Sequence, residues 1–337
     1  MSSLSFFPDW LKEYQECVQS QIKSQFANPQ SQLEASAFEV IAGGKRLRAV
    51  LTLLWCEALC GDYTRASEIA AAYELAHSAA LIQDDVIDNS AMRRGEPSLL
   101  GKYGISGAIL AANTLLFFVP KLISEFARKS GNATLTSKLL DLFGECYRSS
   151  SLGEYRDLEM VNLPSVTEKN YEEMIRLKTG SLIGAASASG ALIGKGGDDS
   201  GIVSAAYEYG SSLGVAYQVQ DDVLDIYGDE SEIGKPIFND IVNGKKSLMF
   251  IRFFNVCDVD IETRFIRDLL RTRSESITEE EIVRTRELLS KYDCESYAKS
   301  FAEGHIRRAE ASLEILESSV AKERLLELSS ALALRKY

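Results

Sequence analysis

A chain of 337 residues, 45% hydrophobic and 26% charged, has room for a large core and the composition of an ordinary globular protein. Its net charge of −12 argues against nucleic acid as the main partner, because phosphate-backbone binding leaves a basic footprint; a small anionic substrate needs only a local basic pocket. Six cysteines without CxxC spacing, beside only two histidines, argue against a zinc site and read as reduced thiols of a cytoplasmic protein.

In chain order, the opening SSLSFFPDWLKEYQE has acidic residues and no basic segment leading into a long apolar run, so neither a signal nor a transit peptide is expected. The stretch ISGAILAANTLLFFVPKLI, 105–123, carries no charge before Lys121 but includes Asn113, Thr114 and Pro120. It is expected as a buried core helix rather than a transmembrane segment. Breaks are expected around Gly61-Asp62, Arg94 to Pro97, Asn162 to Pro164, Gly194 to Gly197 and Gly228 to Pro236. The small-residue run SLIGAASASGALIG, 181–194, suits close helix packing better than the lining of a tunnel. In EEEIVRTRELLSKY, Ile282, Leu288 and Leu289 fall near one face, and Thr278 with Glu281 forms a capping-box start. FAEGHIRRAEASLEILES reads as one more long amphipathic helix. Strand-like alternation is nowhere sustained and no linker divides the chain. The expectation is one large all-α domain over residues 1–337.

One acidic hexapeptide occurs twice, as QDDVID at 83–88 and QDDVLD at 220–225. On a helix, Asp84, Asp85 and Asp88 cluster at one edge, and Asp221, Asp222 and Asp225 repeat the cluster. Like charges so placed cost about 0.2–0.5 kcal/mol per pair in an isolated helix, a cost that a cation offsets. Both copies follow apolar runs (SAALI and GVAYQV), where a merely solvated acidic edge is out of place. Basic residues accompany them: Lys45, Arg46 and Arg48 in AGGKRLRA, Arg93 and Arg94 in MRRGEPS, Lys178 in MIRLKTGSL, and Lys235, Lys245 and Lys246 after the second copy. Two aspartate clusters that suit Mg²⁺, with cations for phosphate oxygens, describe a diphosphate site.

The ordered set GGKRLR, DDVIDNSAMRRGEPS, LKTG and YQVQDDVLDIYGDESEIGKPIFNDIVNGKKS resembles the motifs of the trans-isoprenyl diphosphate synthases, from about residue 40 to 250. The resemblance implies an all-helical isoprenoid synthase fold around a deep central cavity, aspartate motifs facing each other across its mouth, and a homodimer. It implies that Asp84, Asp85, Asp88, Asp221, Asp222 and, in part indirectly, Asp225 coordinate Mg²⁺ ions bridging an allylic diphosphate. Arg93, Lys178, Lys235 and Lys245 would grip that diphosphate, with Thr179 and Gln218 near the allylic carbon. Lys45, Arg48, His77 and Arg94 would form the isopentenyl diphosphate pocket. The reaction implied is ionisation of the allylic diphosphate, attack by isopentenyl diphosphate, and loss of a proton and pyrophosphate. Small Ala79 and Ala80 before the first motif, where a bulky aromatic would floor the cavity, point to C20 or longer products. Phe117 and Phe118 are the candidates for a deeper floor.

Gln83, Asn113 and Ser247 depart from the family pattern without removing any motif carboxylate or lysine. A same-fold terpene cyclase is disfavoured because it needs no isopentenyl diphosphate pocket. A non-catalytic regulatory subunit is disfavoured because all six motif aspartates are present.

Overall fold

The computed structural model describes residues 8–26, 29, 31–41, 44–93, 95–198, 201–228, 237–272 and 277–333. These form α1 Leu11–Gln25, α2 Gln32–Ile41, α3 Leu47–Cys60, α4 Ser67–Ile87, α5 Leu99–Ser130, α6 Ala133–Asn162, α7 Glu168–Ile175, α8 Ser181–Gly194 and α9 Ile202–Tyr227. There follow α10 Asn239–Val242, α11 Leu248–Val256, α12 Asp260–Thr272, α13 Glu279–Lys291, α14 Cys294–Ser312 and α15 Val320–Ala333. The extended structure among the described residues is one short hairpin, Met92–Arg93 against Glu96–Pro97. The all-α expectation holds.

Helix ends follow local chemistry. Gly61 and Gly131 end α3 and α5 in the left-handed region, which glycine enters without a Cβ penalty. Thr278 and Glu281 form the expected capping box on α13, and Thr167 with Asn170 forms a second on α7. The end of α6 is held differently: the Lys246 ammonium donates to the carbonyls of Met160, Val161 and Leu163 at 2.7, 2.9 and 2.7 Å. A cation there answers the unpaired carbonyls of the last turn. The helix expected through Ser318 instead ends at Ser312 and tightens into a 3₁₀ turn, Leu313–Ile315.

The interior is organised by α8, which is buried from Ser181 to Ile193. Its residues are apolar or small all round, so it packs on every side, α3 and α9 among its neighbours. Close approach accounts for its glycines. A Cβ on Gly190 would lie 2.1 Å from the Thr52 carbonyl oxygen of α3, and Thr52 Oγ1 donates to the Ala186 carbonyl at 2.9 Å. The small-residue run is thus a packing device, as expected. Helix α9 joins two apolar clusters: Ala206, Tyr209 and Leu213 belong to the one around α3, α4 and α8, and Val215 to Val223 to the one with α11 and α14.

Helix α5 corrects an expectation. Its inner side (Ala108, Ala111, Ala112, Leu115, Val119) is buried, but Ile105, Ile109, Leu110 and Phe117 are 59, 46, 55 and 77% exposed. The helix is long and apolar enough to cross a membrane by length and composition, with 33% of that window buried. The sequence looked like a core helix because both faces are apolar; only one is packed within the chain. The neighbouring α6 adds exposed Leu140, Leu152, Tyr155 and Leu158.

Gly190→Ala should destabilise the fold by about 1–3 kcal/mol, since the methyl has no space without moving α3 from α8. A urea midpoint equal to wild type would show that this contact is loose.

Candidate active site

The first acidic hexapeptide ends α4. Asp85 is buried and takes a two-pronged contact from Arg93, whose Nε lies 2.9 Å from both carboxylate oxygens. The hairpin after α4 is what turns Arg93 back onto it. Asp88 caps α4 and faces the Lys245 ammonium at 3.2 Å. Among the described residues Asp84 has no ion pair this close. Burial pushes its carboxyl up to about 6; Lys178 counters that rise, while Glu154 and Asp88 add to it.

The second hexapeptide lies near the end of α9. Asp222 accepts from the Tyr171 hydroxyl at 2.5 Å and from Gln218 Nε2 at 3.1 Å. Burial, with Asp240 and Asp221 nearby, pushes it up to about 8 in spite of those donors. Asp225, 1% exposed, accepts from the backbone N–H groups of Asn239 and Asp240 at 3.2 and 3.1 Å. Its carboxylate therefore anchors the start of α10. The Lys245–Asp88 contact ties the segment after the second hexapeptide to the end of the first.

Lys178 and Thr179 sit on a widened π-turn, Arg176–Gly180, between α7 and α8. Such turns insert a residue into a helix and recur at functional sites. Here the turn is moulded by α6. Ser150 Oγ donates to the Lys178 carbonyl at 2.9 Å, and a Cβ on Gly153 would meet Lys178 N at 2.2 Å. The Lys178 ammonium lies 2.6 Å from Glu154 Oε2 and 2.8 Å from Asp157 Oδ2. Burial alone would lower its pKa, but Asp157, Glu154 and Asp84 together hold it above the ordinary lysine value. Thr179 Oγ1 donates to Gln218 Oε1 at 3.0 Å, so Thr179, Gln218, Asp222 and Tyr171 form one continuous chain.

Of the residues expected for a second anion pocket, Lys45, Arg48 and His77 lie on or just before α3 and on α4. Lys45 precedes α3 and is half-buried, its carbonyl held by Gln15 at 3.0 Å. Arg48, on the first turn of α3, has a buried Nε without a hydrogen-bond partner among the described residues. Burial lowers its pKa, and Glu74, Tyr217 and Asp84 oppose that. His77 is half-buried two turns below Asp84 on α4. Arg94 and Lys235 lie outside the described residues.

Of the residues expected to set cavity depth, Ala79 is buried and Ala80 half-buried on α4. Phe117 is corrected: at 77% exposure it lies on the outer side of α5, where it lines a surface groove with Phe118, Leu110 and Lys121. Phe118 stacks on Phe26 at 4.5 Å, in a cluster with Phe38 that belongs to the α1–α2 side. Glu154, Asp157 and Tyr171 were not anticipated. Their signal is present but faint: Phe143, Tyr147, Ser150, Glu154 and Asp157 recur at three- and four-residue steps on α6.

Residues 30–285 match the polyprenyl synthetase family model. The chain is 34% identical over 331 residues to a short chain isoprenyl diphosphate synthase of Methanothermobacter thermautotrophicus, covering 98% of each chain. It is similar in structure to the geranylgeranyl pyrophosphate synthetase of Pyrococcus horikoshii, with a TM-score of 0.85, 30% identity and 97% of each chain covered. The polyprenyl synthase of Caulobacter crescentus, solved with calcium and isoprenyl diphosphate, superposes with a TM-score of 0.88 at 27% identity over 100% of this chain and 99% of that one.

Removing the ammonium in Lys178→Met leaves Glu154 and Asp157 facing each other and should cost about 3 kcal/mol. Adding Glu154→Gln should restore part of that loss. Strictly additive losses in urea melts of the single and double variants would show that the pair is not coupled.

Proposed function

The chain belongs to the polyprenyl synthetase family, and from that premise we propose that it condenses isopentenyl diphosphate with an allylic diphosphate of five to fifteen carbons. The product is geranylgeranyl diphosphate or a longer prenyl diphosphate, and pyrophosphate leaves. The enzyme is a prenyl diphosphate synthase; the reading of its site rests on the nearness of Asp84, Asp88, Lys178 and Lys245 to one another, with Asp240 close to both Lys245 and Asp222.

The donor set suits Mg²⁺. Among the described residues no three acidic, histidine or cysteine side chains form a ready-made metal cage. That fits an ion which retains waters and takes one or two carboxylates together with substrate phosphates. The raised carboxyls of Asp84 and Asp222 are groups whose charged form gains most from such an ion. Asp84, Asp85, Asp88, Asp221 and Asp222 would hold it, with Asp225 fixing the neighbouring backbone. When bound, Mg²⁺ neutralises charge developing on the departing pyrophosphate.

The chain's own residues supply the rest. Lys178, Lys245, Arg93 and Lys235 bind phosphate oxygens, and Lys178, Lys245 and Arg93 are already oriented by carboxylates. As the allylic C–O bond breaks, its electron pair leaves with the pyrophosphate and a carbocation remains. Thr179 and Gln218, fixed through Asp222 and Tyr171, line the space beside it. Lys45, Arg48, His77 and Arg94 hold isopentenyl diphosphate so that its double bond attacks that carbon. The proton then lost passes to the pyrophosphate, and the apolar interior keeps water from the cation.

We take residues 1–337 as one catalytic unit, because α9 runs through both apolar clusters. The exposed apolar faces of α5 and α6 support a homodimer. The six free thiols among the described residues support a reducing, cytoplasmic setting.

Asp84→Ala or Asp221→Ala should reduce kcat for condensation of labelled isopentenyl diphosphate by orders of magnitude without loss of helical signal. Near-wild-type turnover in either would remove the clamp assignment. Phe117→Asp should shift the sedimentation coefficient from dimer to monomer; an unchanged assembly would place the interface elsewhere.

A further inference from the structure

We propose that Tyr171 is a positioning residue of the diphosphate site: its phenol fixes the Asp222 carboxylate for an arriving Mg²⁺ ion without neutralising it. This rests on the prenyl synthase reading above. Other carboxylates of the site are answered by cations: Arg93 faces Asp85, Lys245 faces Asp88, and Lys178 lies between Glu154 and Asp157. Asp222 is answered by neutral groups. The Tyr171 hydroxyl donates to its Oδ2 at 2.5 Å, and Gln218 Nε2 donates to its Oδ1 at 3.1 Å. One donor on each oxygen stops the carboxylate plane from turning. A carboxylate offers about four lone-pair sites, so each oxygen keeps room for a further partner. Neither donor brings positive charge, and the attraction of the carboxylate for a cation is left undiminished.

The surroundings hold the phenol still. Tyr171 is 1% exposed, and its ring belongs to the apolar cluster that α9 shares with α11 and α14. The start of α7 is fixed by the Thr167–Asn170 capping box and by the Tyr297 hydroxyl of α14, which donates to Glu168 Oε2 at 2.6 Å. About two turns after Tyr171 the same segment enters the π-turn, where Thr179 Oγ1 donates to Gln218 Oε1 at 3.0 Å.

Gln218 and Asp222 stand one turn apart on α9. The segment from α7 through the π-turn therefore grips α9 at two points, and the Gln218–Asp222 bond closes the ring. Loss of the phenolic hydroxyl opens that ring at Asp222 alone. The Thr179–Gln218 contact beside the reacting carbon does not involve that hydroxyl. Donors that orient a ligating group from behind typically govern metal affinity by about 10–100-fold.

The test is calorimetric titration of inorganic pyrophosphate at a series of Mg²⁺ concentrations. In Tyr171→Phe, which keeps the ring in its apolar cluster, the Mg²⁺ needed for half-maximal pyrophosphate binding should rise about 10–100-fold, and saturating Mg²⁺ should restore the binding. Tyr297→Phe removes the other hydroxyl bond that positions α7 and leaves Asp222 untouched; its Mg²⁺ requirement should equal that of wild type. A wild-type Mg²⁺ requirement in Tyr171→Phe overturns the proposal. An equal rise in both variants also overturns it, because the effect would then belong to the docking of α7. So does a loss that no Mg²⁺ concentration restores, which would place the phenol on the diphosphate itself, or a Tyr171→Phe chain that does not fold. Wild type that binds no pyrophosphate at any Mg²⁺ concentration defeats the prenyl synthase reading, and this proposal falls with it.

Discussion

Carboxylates withdrawn from water must find positive charge or N–H and O–H donors, and the ends of α4 and α9 and the facing turns of α6 gather several of them. The chain answers most of them individually. Asp85 has the Arg93 guanidinium, Asp88 has Lys245, Glu154 and Asp157 share Lys178, and Asp225 has two backbone N–H groups. Asp84 and Asp222 are left with carboxyls pushed up to about 6 and about 8. A site built this way favours the arrival of a divalent cation with a polyanion that the lysines can also engage. Chemistry that needs only a stabilised leaving group and a dry cavity then requires no nucleophilic side chain.

The scaffold keeps these charges where they are. Helix α8 can lie against α3 because Gly190 leaves room for the Thr52 carbonyl, and α6 can press on the π-turn because Gly153 leaves room for Lys178. Both contacts are backbone-to-backbone approaches, which resist small displacements more than side-chain packing does. The hydrogen-bond chain from Thr179 to Tyr171 then sets one cluster against the other through α9 and α7.

Much of this was legible in sequence, for identifiable reasons. The aspartate hexapeptides, GGKRLR and LKTG are local strings whose chemistry is carried by adjacent residues, and helix starts such as Thr278–Glu281 depend on four consecutive positions. Glu154 and Asp157 were missed because their meaning depends on Lys178, which is distant in sequence and reached only through the α6–π-turn contact. Phe117 was misplaced because an apolar run cannot say which of its faces the chain itself covers.

The central claim is that two acidic clusters, far apart in the chain, act as one clamp on one diphosphate. Calorimetric titration of inorganic pyrophosphate into wild type, Asp84→Asn, Asp221→Asn and the double variant, with and without Mg²⁺, tests it directly. The account predicts binding that requires Mg²⁺ and is lost about as completely in either single variant as in the double, because half a clamp holds nothing. Losses that simply add, or binding indifferent to Mg²⁺, would show two independent acidic patches and contradict it.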